Sequence, residues 1–476
     1  MGYTLDGDFL LWLRGGAMTS GLFGDLPMQA VPEREGGGRP RLRMAERGQV
    51  ELRAVSLDDL VPADHRVRAV WRFVEGLDLS PILAEVKAVE GRPGHPPADP
   101  RILMALWLNA TIEGIGSARA LARRCAEDLP FQWLCGGVGM NHKTLSDFRV
   151  GHGAILEGVL ADSFAALMAA GVAGLERVAQ DGVRVRASAG AASFRRHSTL
   201  EECRRQATAE VARLRSELDA DPGAASRREV AARQRAAEDR ERRVQNALAV
   251  TAELRAMQVE KARKRATQGA AAEDNDLNDG GKTAPPSTEK EPRASSTDAQ
   301  ARVMKMADGG FRPAYNVQFT ADTKSGAVAL VAVDNLGSDM GRLEPTSTAL
   351  DATYGRRPGE HLADGGYAKL ADIAALARAG VTPYVPVPTP RDKTRDRFAP
   401  LPDDTPEVSA WRERMATDAA KEIYKQRAAT VECVNAQARN RGLTRLLVRG
   451  TDKVKAIALW HALAHNMACG WRLLPA

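Results

Sequence analysis

Apolar positions between residues 55 and 171 recur with the three-to-four-residue spacing of amphipathic helices. Asp99, which is followed by a proline, marks one helix start, because the aspartate can cap the first turn and proline fits within it. A second helix is expected from about Ser117. A third is expected to begin at Thr144, where a T-x-x-D capping box stands, and to run unbroken to about Leu167. This segment is therefore predicted to be all-helical.

The pattern changes twice after residue 171. Residues 176–186 alternate like a strand, and the apolar positions that follow keep a seven-residue spacing amid dense mixed charge. An Asp-Pro-Gly sequence at 221–223 supplies a turn in the middle of this stretch. An antiparallel coiled-coil hairpin that ends near Arg265 is therefore predicted. Residues 268–300 are rich in Ala, Asp, Pro, Ser and Gly, and they are predicted to form a disordered linker.

Beyond the linker, strand-like alternation and helical spacing return. Strands are expected at 314–320, 327–334, 360–364 and 382–387, and helices at 342–354, 369–379, 406–440 and 452–469. Counted from the strand at 176–186, the order is strand, strand, strand, helix, strand, helix, strand, helix. This α/β order is ribonuclease-H-like, with the coiled-coil hairpin and the linker inserted after the first strand.

Length, charge and cysteine usage narrow the class of protein. A chain of 476 residues is expected to hold two or three domains. Its longest apolar runs are far shorter than a bilayer span, and acidic residues precede the apolar patch at 9–13, so neither a membrane partner nor export is expected. Five cysteines without a CxxC pair indicate a reducing compartment, and the cytoplasm is the expected location. The net charge of +6 and the pI near 9.1 favour a polyanionic partner.

Basic residues cluster on the last two helices of the N-terminal segment. They are Arg119, Arg123, Arg124, His142, Lys143 and Arg149. Short helices joined by turns with such a cluster resemble a helix-turn-helix DNA-binding unit. An all-helical packing module with a solvated basic face explains the same pattern equally well. A second basic series, for which phosphate contact is the better explanation, comprises Arg439, Arg441, Arg445, Arg449, Lys453 and Lys455.

Two aspartates stand where a metal site could form. Two-metal phosphoryl transfer needs carboxylate oxygens that converge from different elements. The first and fourth strands of the predicted order are neighbours in the sheet, so Asp181 in the first and Asp364 at the end of the fourth can approach each other. Each is followed by glycine, which leaves room for a metal ion. The alternative is that Asp364 caps the next helix and that Asp181 is a turn residue.

A third carboxylate is expected from the long helix that follows the last strand, which offers Glu413, Glu422 and Glu432. Small residues lie one turn on either side of Glu432, and Lys425 and Arg439 lie two turns away on nearly the same face. Glu422 has the charged neighbours of an ordinary surface position. Glu432 is therefore the preferred third ligand.

The run from Tyr424 through Arg427 to Glu432, followed by Arg439, resembles the Tyr, Arg, Glu, Lys/Arg signature of bacterial insertion-sequence transposases of the DDE superfamily. Further blocks of the chain are similar to the same family: residues 178–182, 302–316, 337–341 and 361–367. Residues 55–152 resemble the InsH-type helical N-terminal domain of these proteins. The resemblance covers most of the chain from Val55 onwards.

By this resemblance Asp181, Asp364 and Glu432 form the metal-binding catalytic triad, with Mg²⁺, or Mn²⁺ in its place, as the cofactor. Tyr424 and Arg427 support the site or touch DNA near the cleaved bond. The chain departs from the commonest signature because four residues rather than three separate Arg427 from Glu432, and because the final basic position is arginine rather than lysine. The expected DNA contacts are Tyr424, Lys425, Arg427, Arg439, Arg441, Arg445, Lys143 and Arg149.

Several other motifs are expected to have structural roles. Three carboxylates are interpreted as strand-end and helix-cap residues: Asp308, Asp334 and Asp339. A Gly-Gly-Lys-Thr run at 280–283 ends like a P-loop but lacks the first glycine and a preceding strand, so ATP binding is not expected. His461 and His465 stand one helical turn apart without a third ligand, which favours a packed or DNA-facing helix over a zinc site.

The predicted function is to bind the double-stranded terminal inverted repeats of an insertion sequence, and to cut and join them to target DNA. A homodimer or larger assembly is expected on DNA, at the bacterial nucleoid. The alternatives are a ribonuclease-H-like nuclease without strand transfer, and a transposase-derived DNA-binding repressor for which the triad is dispensable. The predicted division is 1–54 without a defined domain, 55–171 helical and DNA-binding, 172–198 the first part of the catalytic domain, 199–267 the hairpin, 268–300 the linker, and 301–476 the rest of the catalytic domain.

Overall fold

The computed structural model describes residues 54–89, 95–220, 224–273, 291–390 and 394–473, together with Gly48, Gly91 and Asp392. The chain divides into two compact units, Met1–Val55 and Ser56–Ala476, and every element described below belongs to the second. The predicted segment 1–54 therefore lies almost wholly outside the described residues. The division into domains stays a prediction.

The first part of the second unit is helical, as the apolar spacing predicts. Its helices are α1 Arg66–Glu75, α2 Ser80–Ala84, α3 Pro100–Ile112, α4 Ala118–Glu127, α5 Leu129–Cys135, α6 His142–Gly151 and α7 Gly153–Ala169. Helix α3 is almost entirely buried, so it forms the centre of this part. The side chain of Asp99 accepts a hydrogen bond from the Arg101 amide, and Ser117 caps α4 in the same way, so both predicted helix starts are confirmed.

The third predicted helix is wrong in its start and in its continuity. It begins at His142 rather than Thr144, because Asn141 is the cap: its Oδ1 accepts hydrogen bonds from the amides of Lys143 and Thr144, both at 2.9 Å. It ends at Gly151, and α7 continues after a bend of 65°. Asparagine is at least as strong a cap as threonine, and its oxygen already accepts from the Thr144 amide, which the Asp147 side chain would bond in a Thr144 box.

The second part contains a mixed sheet. The strands are β1 Arg177–Arg186, β2 Phe194–Arg196, β3 Arg293–Ser295, β4 Arg302–Lys305, β5 Phe311–Asp322, β6 Val328–Asp334, β7 Glu360–Leu362 and β8 Thr382–Tyr384. The main sheet has the order β4-β5-β1-β7-β8, with β6 also paired to β5. Strand β1 is parallel to β7 and antiparallel to β5. The first and fourth predicted strands correspond to β1 and β7, so their predicted neighbourhood is confirmed. The sequence does not predict strands β2, β3 and β4, because they are too short to leave a pattern.

Helices α10 Leu343–Tyr354 and α11 Leu370–Arg378 lie where the sequence predicts them. The long helix expected at 406–440 is wrong, because the chain forms α12 Pro406–Ala416, α13 Asp418–Arg427, a π-helical turn Ala428–Glu432 and α14 Cys433–Asn440. The first break occurs at Thr417, whose side chain accepts a hydrogen bond from the Ala420 amide and so caps a new helix. A propensity pattern cannot distinguish such a restart from a continuous helix, because the apolar spacing is the same on both sides.

Two helices occupy the predicted insertion after β1, namely α8 His197–Ala220 and α9 Ala224–Glu273. They pack against each other through buried residues that include Val211, Leu214, Val230 and Val244. The predicted linker is wrong at both ends, since α9 continues to Glu273 and β3 pairs with β2. Its central part, 274–290, and the Gly-Gly-Lys-Thr run at 280–283 lie outside the described residues.

The last helix, α15 Thr451–Leu473, joins the helical part to the sheet. The indole of Trp460 donates a hydrogen bond to the Arg149 carbonyl at 2.9 Å. Asn466 forms two hydrogen bonds with the backbone of Val328 in β6, at 2.7 and 2.8 Å. His461 and His465 are buried in this contact, as expected for a packed helix.

In the part of the chain that the structure describes, no single helix is long and apolar enough to cross a membrane, and only the bent pair α6 and α7 passes that test jointly by length and composition.

We expect Asn141→Ala to lower the free energy of unfolding by about 1 kcal/mol, because two amides at the start of α6 lose their acceptor. Thr144→Ala should change it by less than about 0.5 kcal/mol, since that side chain does not cap the helix. Urea denaturation of the full chain, followed by circular dichroism, compares the two variants. A larger loss of unfolding free energy for Thr144→Ala than for Asn141→Ala would indicate that the Thr144 capping box starts the helix.

Candidate active site

Asp181 lies in the middle of β1, with β5 on one side and β7 on the other. Its side chain is only 18% exposed. Its Oδ2 accepts a hydrogen bond from the side-chain Nδ2 of Asn435 at 3.0 Å, and its Oδ1 accepts one from the backbone amide of Gly182 at 2.9 Å. The carboxylate is therefore held between the sheet and α14.

Asp364 follows β7 and begins a single helical turn, Gly365–Tyr367. Its Oδ1 accepts a hydrogen bond from the Gly366 amide at 2.7 Å, so the predicted capping role of this residue is also present. The parallel register pairs Ala179 with Leu362, and two further residues on each strand bring Asp181 level with Asp364. Asp181 in the middle of β1 and Asp364 just beyond the carboxyl end of β7 are thus close enough for their charges to interact.

Glu432 is the last residue of the π-helical turn, and its side chain is 52% exposed. Arg427 Nη2 donates a hydrogen bond to Glu432 Oε1 at 2.6 Å, and Arg427 Nη1 lies 3.7 Å from Asp181 Oδ2. The guanidinium is largely buried and also packs near the ring of Tyr424, 5.8 Å from its centroid. It therefore stands between the carboxylates of Asp181 and Glu432.

The π-helical turn explains the unusual spacing of Arg427 and Glu432. These residues are five positions apart, and a π-helix bonds residues i and i+5. An α-helix would bring residues four apart onto one face, which is the spacing of the commonest signature. The extra residue is thus absorbed by the local winding, and the arginine and the glutamate still meet.

Burial and like charge govern the chemistry of Asp181. Desolvation raises its pKa to about 6, the Arg427 guanidinium opposes that rise, and the nearby carboxylates of Asp364 and Asp339 add to it. Burial and neighbouring negative charge make the ionised form of Asp181 costly, and a nearby cation would stabilise that form. The site is therefore short of positive charge although Arg427 lies within it.

Family models match two parts of the chain. A transposase domain (DUF772) matches residues 55–150, and a transposase DDE domain matches residues 393–469. The second match contains the Tyr424, Arg427 and Glu432 positions just described. The chain carries the domains of a DDE transposase. No match to curated proteins or to solved structures was found for this transposase.

The donor set of the transposase suits a hard divalent cation. Carboxylate oxygens are the ligands that Mg²⁺ and Mn²⁺ prefer, and the Oδ1 of Asn435, which adjoins Asp181, is buried without a hydrogen-bond partner. Among the residues that the structure describes, however, no three His, Cys, Asp or Glu side chains form a ready metal-binding group. The guanidinium of Arg427 lies between two of the carboxylates, 3.7 Å from Asp181 and 2.6 Å from Glu432.

The expected DNA contacts of the transposase fall into two groups. Lys425, Arg439, Arg445 and Lys143 are exposed, Arg441 is half-buried, and Lys425 is paired with Glu422 at 2.5 Å. Arg149 is wrong as a DNA contact, because it is 9% exposed, stacks over Trp107 and donates a hydrogen bond to the Gly116 carbonyl. Burial lowers its pKa to about 10. A basic residue on a helix looks the same in sequence whether it faces solvent or the core.

Asp339 is the site residue that the sequence misassigns. It was expected to be a strand-end or cap residue, yet Arg342 is the first residue before α10 and no side chain caps that helix. The carboxylate of Asp339 is 8% exposed and contributes to the electrostatic environment of Asp181. The only sequence signal for it is the Gly-Ser-Asp-Met-Gly block at 337–341, whose small residues allow a close approach.

Asp181→Asn should stabilise the metal-free transposase at pH 7.5 by about 1 to 3 kcal/mol. A raised carboxyl pKa means that the folded state binds a proton more tightly than the unfolded chain, so its stability falls as the pH rises from about 4 to about 6. The gain from the variant should therefore shrink at pH 4.5. Thermal unfolding at both pH values measures it, and a variant less stable than the parent at pH 7.5 would contradict the assignment.

Proposed function

We propose that the transposase binds the ends of its insertion sequence and cleaves and joins DNA strands at a divalent metal site formed by Asp181, Asp364 and Glu432. The observation that carries this proposal is that Asp181 in β1 lies near Asp364, which follows the neighbouring parallel strand β7. Arg427 links Glu432 to Asp181. The order of the main sheet and its helices supports a ribonuclease-H-like catalytic domain.

Mg²⁺, or Mn²⁺ in its place, would activate the attacking oxygen and neutralise charge on the phosphate at such a site. The three carboxylates would hold it with hard oxygen donors from two strands and one helix. Arg427 has to leave Glu432 for this carboxylate to join the other two, and its released guanidinium is then free to contact a DNA phosphate. The half-buried Tyr424 ring limits where the guanidinium can move.

Exposed basic residues supply a DNA surface around this site. Arg439 and Arg445 are exposed near the C-terminal end of α14, and Lys425 lies on α13. In the helical part, α4 adds the exposed Arg119, Arg123 and Arg124, and α6 adds the exposed Lys143. Lys and Arg contacts to phosphates give salt-dependent affinity without sequence readout, so terminal-repeat recognition needs further base contacts in the helical part.

We also propose that two or more copies act together on DNA, because joining two ends to one target needs two active sites held in one assembly. The hairpin of α8 and α9 offers a surface for this contact, since Met257 and Val259 on α9 are exposed apolar side chains. The target is double-stranded DNA in the cytoplasm, at the nucleoid.

Glu432→Gln should abolish strand cleavage, while Glu422→Gln should remain active. Glu432 is hydrogen-bonded to Arg427, which also lies 3.7 Å from Asp181, whereas Glu422 is 70% exposed and pairs with Lys425. Both variants should bind the end duplex, which carries the inverted repeats that flank the gene. Gel assays of nicked and joined products, run beside Asp181→Asn and Asp364→Asn, separate cutting from binding. An active Glu432→Gln with an inactive Glu422→Gln would reverse the assignment of the third carboxylate.

Replacement of the metal is expected to separate binding from cleavage. Mg²⁺ or Mn²⁺ should support both, and Ca²⁺ should permit binding with little cutting because its looser coordination does not fix the attacking and leaving oxygens. Full cleavage in a chelator would remove the metal from the mechanism. Joined products distinguish a transposase reaction from simple nuclease activity.

A further inference from the structure

Asp339 lies in the loop between β6 and α10, where its buried carboxylate has a nearly complete set of hydrogen-bond donors. Its Oδ1 accepts hydrogen bonds from Asn316 Nδ2 at 2.6 Å and Gln318 Nε2 at 2.7 Å. Its Oδ2 accepts one from Arg184 Nη2 at 3.2 Å. A buried charge with these partners is held in one position, because losing any of them leaves a desolvated group without compensation.

The same carboxylate fits between the two segments that carry Asp181 and Asp364. A Cβ added to Gly182 would lie 2.6 Å from Asp339 Oδ1, so only glycine permits this approach beside Asp181. On the other side, a Cβ added to Gly366 would lie 3.9 Å from Asp339 Oδ2. Asp339 thus approaches the residue after Asp181 closely and lies near the second residue after Asp364.

The side-chain oxygen of Gln318 links Asp339 to residues close to both aspartates in the sequence. That oxygen accepts a hydrogen bond from the Tyr367 hydroxyl and one from Gln180 Nε2 at 3.2 Å. Gln180 precedes Asp181 in β1. The backbone amide of Tyr367 donates a hydrogen bond to the Asp364 carbonyl at 3.1 Å. A continuous chain of hydrogen bonds therefore runs from Asp339 through Gln318 to the turn that holds Asp364.

We propose that Asp339 is a positioning residue, which acts through Gln318 and Tyr367 to fix the separation of Asp181 and Asp364. This inference rests on the proposed metal site. Partners beyond the direct ligands orient those ligands, and their loss commonly weakens metal binding. Asp339 fulfils this role by accepting hydrogen bonds, so an uncharged side chain with an oxygen in the same place preserves most of it.

The experiment measures Mn²⁺ affinity in the absence of DNA, from the electron paramagnetic resonance signal of free Mn²⁺. Asp339→Ala should weaken binding about 10- to 100-fold, the range seen when such partners are lost. Asp339→Asn should stay within about threefold of the parent, because its oxygen still accepts from Asn316 and Gln318. Asp334→Ala is the matched control, since Asp334 is the last residue of β6, directly before the loop that carries Asp339, and pairs with Arg342 at 2.9 Å. It should leave Mn²⁺ affinity unchanged.

Tyr367→Phe tests the chain of hydrogen bonds if Asp339→Ala fails to fold, which thermal unfolding in metal-free buffer would reveal. It removes the hydroxyl that contacts Gln318 and should also weaken Mn²⁺ binding. Full affinity in both Asp339→Ala and Tyr367→Phe would overturn the proposal, as would equal losses in Asp339→Ala and Asp339→Asn. Asp181→Asn distinguishes the two levels: if it retains Mn²⁺ binding, the proposed metal site itself is wrong.

Discussion

The burial of a carboxylate beside other carboxylates is the constraint on which the site depends. Burial raises the pKa of Asp181, and the nearby charges of Asp364 and Asp339 raise it further. Like charges held together in a partly desolvated position are costly unless a cation or hydrogen-bond donors compensate them. Arg427 supplies part of this compensation for Asp181, and Asn316, Gln318 and Arg184 supply it for Asp339. The fold therefore leaves partly uncompensated negative charge between the middle of β1 and the residues that follow β7.

Local backbone features follow from that constraint. The π-helical turn brings Glu432 back to Arg427 despite the extra residue between them, at the expense of regular α-helical hydrogen bonding. Gly182 is required because a side chain there would collide with Asp339, Asn316 and Gln318. A glycine in the middle of a strand weakens the strand, and here it marks close packing beside a carboxylate. Both irregularities occur beside residues of the proposed triad, where regular structure would separate the groups that have to meet.

The sequence predicts the longer strands of the main sheet, the neighbourhood of the strands before Asp364 and around Asp181, and two of three helix starts, because each rests on periodicity or on a local hydrogen bond. It does not predict the break at Thr417 or the π-helical turn, since the helical spacing of apolar residues continues through both. It does not predict the burial of Arg149 either, since this depends on tertiary contacts such as the stack over Trp107. Asp339 shows the same limit. Its role comes from Asn316 and Gln318 on another strand, and no spacing along the chain records that these three side chains converge.

The insertion after β1 can coexist with a precise site because its two ends are tied together. Phe194–Arg196 pairs with Arg293–Ser295 before and after the two helices, and Leu200, Ala247 and Ala294 form a small core at that base. Just beyond, the buried Asp298 accepts hydrogen bonds from the Tyr315 hydroxyl in β5 at 2.7 Å and from the Gly450 amide at 3.3 Å. The chain therefore returns to the sheet at a fixed point, and the length of the hairpin does not alter the register of β1 with β5.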